Sequence, residues 1–465
     1  MRTLVIADLR HSIRIWAGSL LVLAVSQLCA MWVAGLLVVG ATNVTTMSGD
    51  TSSIPPVTGP DGTVIPPEVF TLIPAGIVSA TSISFVVLAV VASITVRNVV
   101  NAIVYQRRRV MALWQLAGMT EAQLLRILRG QIALLSIVAF VAAGASALLT
   151  ADWILSVLRA AGLLFTPPMT TGGLYLGYGI GAVMSILISI LAVRGTTREL
   201  RAISPLEAIR SEGVRELSMT RRRWVSVMIW GALCVVLAIG ALASQDLEGA
   251  SSASLIAALV GIVALNAGGP VIMVALMSAW TRLVPEHLSA SWFLARKTLQ
   301  AATARSVATI GSISIAVFLF TALFSQQTAG GGESSVAGFV LVVGFPLAIS
   351  VSGSVVLVFM AGQQRESEIH LAELAGATPA QQKRQAFSEA VMVVVTGSGI
   401  GLLLSVFMML LMQPALIAST GAADLHVSWG HFALISGILL VLNIVATVVP
   451  TMIAQAARER IAVPE

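Results

Sequence analysis

The sequence predicts an all-α polytopic membrane protein. Ten transmembrane helices form two parallel four-helix repeats joined by two linking helices (4+2+4), with the N- and C-termini cytoplasmic. Three observations predict this: the hydropathy of the chain, the one-sided distribution of its basic residues, and a phrase that occurs twice.

Hydropathy comes first. The 465 residues are 57% hydrophobic and 10% charged, with a mean hydropathy of +0.94. Soluble domains carry about 25% charged residues, so this chain has too little polar surface for a water-soluble globule. Its apolar runs are long enough to cross a hydrocarbon core of about 30 Å as helices. Ten such runs lie near 15–41, 70–96, 130–150, 172–193, 224–243, 253–279, 306–325, 336–361, 386–412 and 430–453. The first follows Arg2, Arg10 and Arg14 and is longer than a signal-peptide core, so it is expected to be a retained helix.

Charge fixes the orientation. With the N-terminus inside, 26 of the 27 Lys and Arg fall in inner segments, and Arg159 alone lies outside. This is the positive-inside pattern. It assigns the basic pI to topology and contact with anionic lipid, and argues against a nucleic-acid partner. The outer segments are short: Asn43–Val69, Ala151–Thr171, Gln326–Ser335 and Pro414–Trp429. None has the length of an ordinary folded domain.

The duplication sets the architecture. Leu113-Trp-Gln-Leu-Ala-Gly-Met-Thr-Glu-Ala-Gln123 returns 258 residues later as Leu371-Ala-Glu-Leu-Ala-Gly-Ala-Thr-Pro-Ala-Gln381. Seven of the eleven positions are identical, and Gln106-Arg107 and Gln364-Arg365 precede the copies at equal spacing. Both copies lie on the inner side, so the repeat is parallel, with a pseudo-twofold axis along the membrane normal. The predicted units are residues 1–215 and 286–465, with the two linking helices in 216–285.

Each copy reads as a short helix, a glycine turn at Gly118 or Gly376, and a second helix entering the membrane. Thr120 with Gln123, and Thr378 with Gln381, have capping-box spacing, and Pro379 suits the first helical position. A rigid apolar helix at the inner face can dock in a partner's groove. Taken alone, it fits a lipid-lying interfacial helix equally well. Duplication favours the partner, because two copies offer two docking sites to a symmetric pair.

Other chemistry is sparse. No Gly-x-x-x-x-Gly-Lys-Ser/Thr phosphate loop occurs, and the two lysines, Lys297 and Lys383, lie outside Gly-rich loops. No ionisable residue falls at a span centre. Glu389 is placed in the first turn of the ninth span. Ion-coupled transport is therefore disfavoured, and the energy source is expected outside the chain. Asn266 and Asn443 are read as interhelical hydrogen-bonding amides, Met408, Met409 and Met412 as packing or lipid-facing filler, and Gly397, Gly399 and Gly401 as a close-packing stripe. His426 and His431 share an outer loop without further ligands at metal spacing, and are read as solvated. Cys29 and Cys234 fall within separate spans, so no disulfide framework is expected. Asn43-Val-Thr45 matches a glycosylation sequon, a motif common by chance.

The paired Leu-x-x-Leu-Ala-Gly phrases, with Ser204-Pro-Leu-Glu-Ala-Ile-Arg210 after the fourth span, resemble permeases of the FtsX-like, MacB-type ABC transporter superfamily in its ten-helix, bacitracin-exporter-like arrangement. The resemblance covers nearly the whole chain. It implies a multi-pass protein of the bacterial cytoplasmic membrane, itself without enzymatic activity or cofactor. Two copies of a cytoplasmic ABC ATPase subunit would bind ATP and Mg. The family's coupling helices map onto Val110–Gly118 and Ile369–Gly376, so Leu113, Trp114, Leu116, Gly118, Leu371, Leu374 and Gly376 are the expected ATPase-docking residues. The implied function is mechanotransmission, with ATP hydrolysis driving export or extraction of a hydrophobic or amphipathic substrate. The alternative is an ATPase-driven regulator of an extracytoplasmic enzyme or sensor kinase. Unlike many members, this chain has no large insertion between spans 1 and 2 or 7 and 8, which disfavours capture of a large ligand by a dedicated outer domain and favours entry from the outer leaflet.

Overall fold

The computed structural model describes residues 13–47, 57–58, 64–65, 67–160, 173–200, 220–244, 246–285, 289–329, 343–363, 374, 376–420 and 427–462. The first unit contains α1 (Ile13–Met47), α2 (Pro67–Leu116), α3 (Glu121–Ala160) and α4 (Gly173–Leu200). The link contains α5 (Arg221–Ala243), α6 (Leu247–Ala267) and α7 (Gly269–Thr281). The second unit contains α8 (Ala290–Ala301), α9 (Thr303–Ala329), α10 (Phe345–Gln363), α11 (Pro379–Thr420) and α12 (Trp429–Ala462). Strands β1 (Val57–Thr58) and β2 (Val64–Ile65) form a small antiparallel hairpin between α1 and α2, pairing Val57 with Ile65.

Among the described residues, nine helices are long and apolar enough to cross a membrane, so the chain is a multi-pass membrane protein. The predicted span at 336–361 is described only from residue 343, where Phe345–Met360 is a shorter apolar helix. The predicted span at 253–279 is broken in two. Gly268, Gly269 and Pro270 follow one another there, and Pro270 has no N–H for the preceding turn. The expected outer loop beginning at Pro414 starts later, because α11 runs through that proline to Thr420.

The two units meet through their first helices. Helix α10 packs on α1 and α2, and α9 packs on α2. These pairings are the ones a twofold relation between α1–α2 and α9–α10 would produce. Asn98 on α2 donates to the Ala308 carbonyl on α9 across this junction, at 3.4 Å. The apolar window of α9 is 89% buried, whereas that of α5 is 6% buried. Helix α9 is therefore central, and α5 lies at the lipid-facing edge against α6.

Glycines set the closest crossings. Gly173, Gly177 and Gly181 are four apart, so they share one face of α4. A Cβ at Gly177 or Gly181 would run into the α1 backbone at Ala34, Gly35 and Ala30, while one at the out-of-phase Gly179 would meet nothing. Gly181→Val is therefore expected to separate α1 from α4 and reduce the yield of folded protein severalfold. Gly179→Val should be tolerated, and size-exclusion recovery of both variants checks this. On α11, Gly397 and Gly401 likewise lie against Ile313 and Val317 of α9, as the stripe reading anticipated, but Gly399 faces open space.

Several other expectations are refined. Met408, Met409 and Met412 are buried core residues. Asn443 and Asn266 bond within their own helices, to Leu439 O at 2.8 Å and Ile262 O at 3.4 Å, rather than across helices. Asn43 is buried in α1 and bonds Val39 O at 2.7 Å, which removes it as a glycosylation acceptor. His431 is not a solvated loop residue: it lies in the first turn of α12, stacks on Phe324 at 3.8 Å and contacts Ser428 Oγ at 2.6 Å. His426 lies outside the described residues. Cys29 and Cys234 are free thiols.

Candidate functional site

The C-terminal end of α2 and the N-terminal start of α11 carry the duplicated phrase. No Gly or Pro occurs between Val96 and Ala117, so nothing interrupts the helix as it leaves the membrane. The first docking segment is not the separate short helix expected. It is the last part of a 50-residue helix, α2, and at 1.5 Å per residue that helix is about 75 Å long.

Gly118 ends α2. Its φ of +94° lies in the left-handed region, where a Cβ costs energy. Met119 N–H bonds Trp114 O and Gly118 N–H bonds Gln115 O, both at 3.0 Å, the pairing of a Schellman turn. The chain then re-enters a helix through the predicted capping box. Thr120 N–H donates to Gln123 Oε1 at 3.0 Å, and Gln123 N–H donates to Thr120 Oγ1 at 3.4 Å.

At this tip Val110, Leu113 and Leu116 are exposed. Their spacing of three places them as a stripe along one side of the helix end. Trp114 is different. It is half-buried and, with Met119, packs against the cluster containing Trp16, Met111, Leu124 and Leu128. It therefore anchors the tip to α1 and α3 more than it lines an open surface. Arg107 is also buried. It stacks over the Trp16 ring at 5.5 Å, and its Nη1 donates to Gln131 Oε1 at 3.4 Å.

The second tip repeats the geometry where it is described. Gly376 has a φ of +86°. Thr378 N–H donates to Gln381 Oε1 at 2.9 Å, Gln381 N–H donates to Thr378 Oγ1 at 3.3 Å, and Pro379 opens α11. Leu374 is 74% exposed. Leu371 lies outside the described residues.

Sequence reasoning missed two features of the second tip. Helix α8 packs on the N-terminal part of α11. Ser291 Oγ donates to Gln381 O, and Gln385 Nε2 donates to Thr298 Oγ1, each at 3.4 Å. Ser289 caps α8 by accepting from Trp292 N–H at 3.2 Å. The spacing of Trp292, Ala295 and Leu299 was the available signal. The other feature is Glu389. It is not in the first turn of its helix but eleven residues into α11, and it is buried. Arg305 Nη2 of α9 lies 3.7 Å from its Oε2, and Gln385 Nε2 donates to its Oε1 at 3.2 Å. Gln131 and Glu389 are themselves 258 residues apart, so an amide in one half stands where the other has a carboxylate.

A family model described as FtsX-like permease C-terminal matches residues 81–201 and again residues 338–455. The two matches fall on α2–α4 and α10–α12, and together cover just over half of the chain. No curated protein matches it.

Proposed function

Since the chain belongs to the FtsX-like permease family, the membrane-spanning component that works with a cytoplasmic ABC ATPase, we propose that it couples that ATPase to the outer half of the membrane by mechanotransmission. The observation that carries this reading is the unbroken α2, which joins an exposed apolar tip at Leu113 and Leu116 to the outer end of span 2. A continuous helix transmits displacement along its axis without a hinge. At the second tip, α8 and the Arg305–Glu389 pair tie α11 to neighbouring elements.

In this reading two ATPase subunits dock, one at each tip, and bind ATP and Mg themselves. The tips are unequal: Trp114 and Met119 anchor the first, whereas Ala372 and Ala377 occupy the corresponding positions of the second. The substrate class that fits is a hydrophobic or amphipathic compound taken from the outer leaflet of a bacterial cytoplasmic membrane. The first outer connection carries only a hairpin of two-residue strands among its described residues, which supports entry from lipid over capture by a folded outer domain.

The test is reconstitution of the chain in lipid nanodiscs with a cytoplasmic ABC ATPase subunit from the same organism. The expected result is a stable complex whose ATP turnover responds to amphipathic compounds added with the lipid. An ATPase that neither binds the chain nor changes its turnover contradicts the proposal.

A further inference from the structure

The repeat offset of 258 residues extends into the membrane. It relates Thr95 on α2 to Gly353 on α10, and these two residues are in contact. A Cβ placed on Gly353 would overlap Thr95 Cγ2. Two positions related by the internal duplication meet only close to the axis that relates the halves. The pseudo-twofold axis therefore passes beside this pair, and the contact is a methyl group seated in a notch that glycine leaves open.

Three of the buried hydroxyls that lack partners among the described residues cluster at this notch; the others are at Ser84, Thr321, Ser398 and Ser436. Most buried Ser and Thr hydroxyls here bond a carbonyl of their own helix, as Thr81 does to Ile77 and Ser312 to Ala308. Thr95 Oγ1, Ser350 Oγ and Ser354 Oγ make no hydrogen bond among the described residues, although all three residues are fully buried. They lie within one helical turn of the notch or in it. Buried hydroxyls without partners are rare and raise the energy of the state that contains them. A small shift of α10 against α2 gives them a route to partners, and packed interfaces move between discrete arrangements rather than deforming smoothly.

We infer that Thr95 and Gly353 are the positioning residues that hold the halves in register as they move, and that the three hydroxyls take partners in a second arrangement. This rests on the proposed coupling to an ATPase. The pair touches no docking surface, so its effect should appear in turnover and not in ATPase binding.

The test uses the full chain with its ATPase in nanodiscs. Gly353→Ala is expected to keep ATPase recovery at the wild-type level and lower turnover about fivefold. The mirror-image pair Thr95→Gly with Gly353→Thr should regain at least half of the lost turnover, while Gly353→Thr alone should not. Wild-type turnover in Gly353→Ala, or a mirror pair no better than Gly353→Thr, overturns the inference. If Gly353→Ala does not accumulate, adding Thr95→Ala, which deletes the overlapping methyl, should restore it, and failure of that rescue also overturns the inference. Melting of the chain alone in detergent reads the contact without the ATPase. Gly353→Ala should lower Tm by about 3 °C, and the mirror pair should restore it. If the wild-type chain recovers no ATPase, the proposed function fails, and the melting series still decides the contact.

Discussion

Leu116→Asp combined with Leu374→Asp is expected to abolish recovery of the ATPase with the chain while leaving the fold intact. The two leucines are 59% and 74% exposed, so neither contributes much to internal packing. A leucine buried in a docking groove contributes about 1.5–3 kcal/mol. Replacing it with a carboxylate loses that amount and adds the cost of desolvating a charge. Each site should weaken by about 10–100-fold, since every 1.4 kcal/mol is tenfold in affinity. The single variants should separate the tips, because the first is anchored by Trp114 and the second is braced by α8. Pull-down at graded ATPase concentration checks this. Undiminished binding by the double variant would mean that the exposed leucines face lipid.

These leucines also show how much could be read from the sequence. The glycine turns and capping boxes of both tips were legible because each depends on neighbouring residues: a left-handed Gly and a Thr three before Gln. What escaped the sequence depends on contacts distant along the chain. The burial of Arg107 depends on α1, which brings Trp16 beneath it. Trp114 belongs to the same apolar stretch as Leu113 and Leu116, and only the fold turns it inward. Glu389 was misplaced because hydropathy marks the start of a membrane span, whereas α11 begins well before it, at Pro379. Helix α8 was overlooked because its 12 residues are too short to cross a membrane. The break at Gly268 is likewise invisible to averaged hydropathy, because glycine and proline interrupt the helix without adding charge.

Arg305→Met is expected to be the most damaging single substitution at the buried polar contacts between α9 and α11. It leaves the Glu389 carboxylate buried without its neighbouring guanidinium. Breaking a buried pair from one side costs about 3–5 kcal/mol. The other contacts of Glu389, including the Gln385 amide at 3.2 Å, place the expected loss at the low end. Glu389→Gln should be milder, because Gln131 occupies the repeat-equivalent position in the first half. The double variant Arg305→Met with Glu389→Gln should melt above Arg305→Met alone, since removing both charges leaves no stranded carboxylate. Thermal melting of the purified chain in one detergent ranks the three. A double variant less stable than Arg305→Met would show that the pair is not the tie between α9 and α11.

Mechanical coupling requires the tips to be contact points for an ATPase and not helices lying on lipid. A photoreactive residue placed at position 116, and separately at position 374, measures this directly in membranes containing both proteins. The account predicts ATPase adducts from both positions and none from position 149, where Leu149 is exposed near the opposite end of α3. Lipid adducts alone from positions 116 and 374 would contradict it.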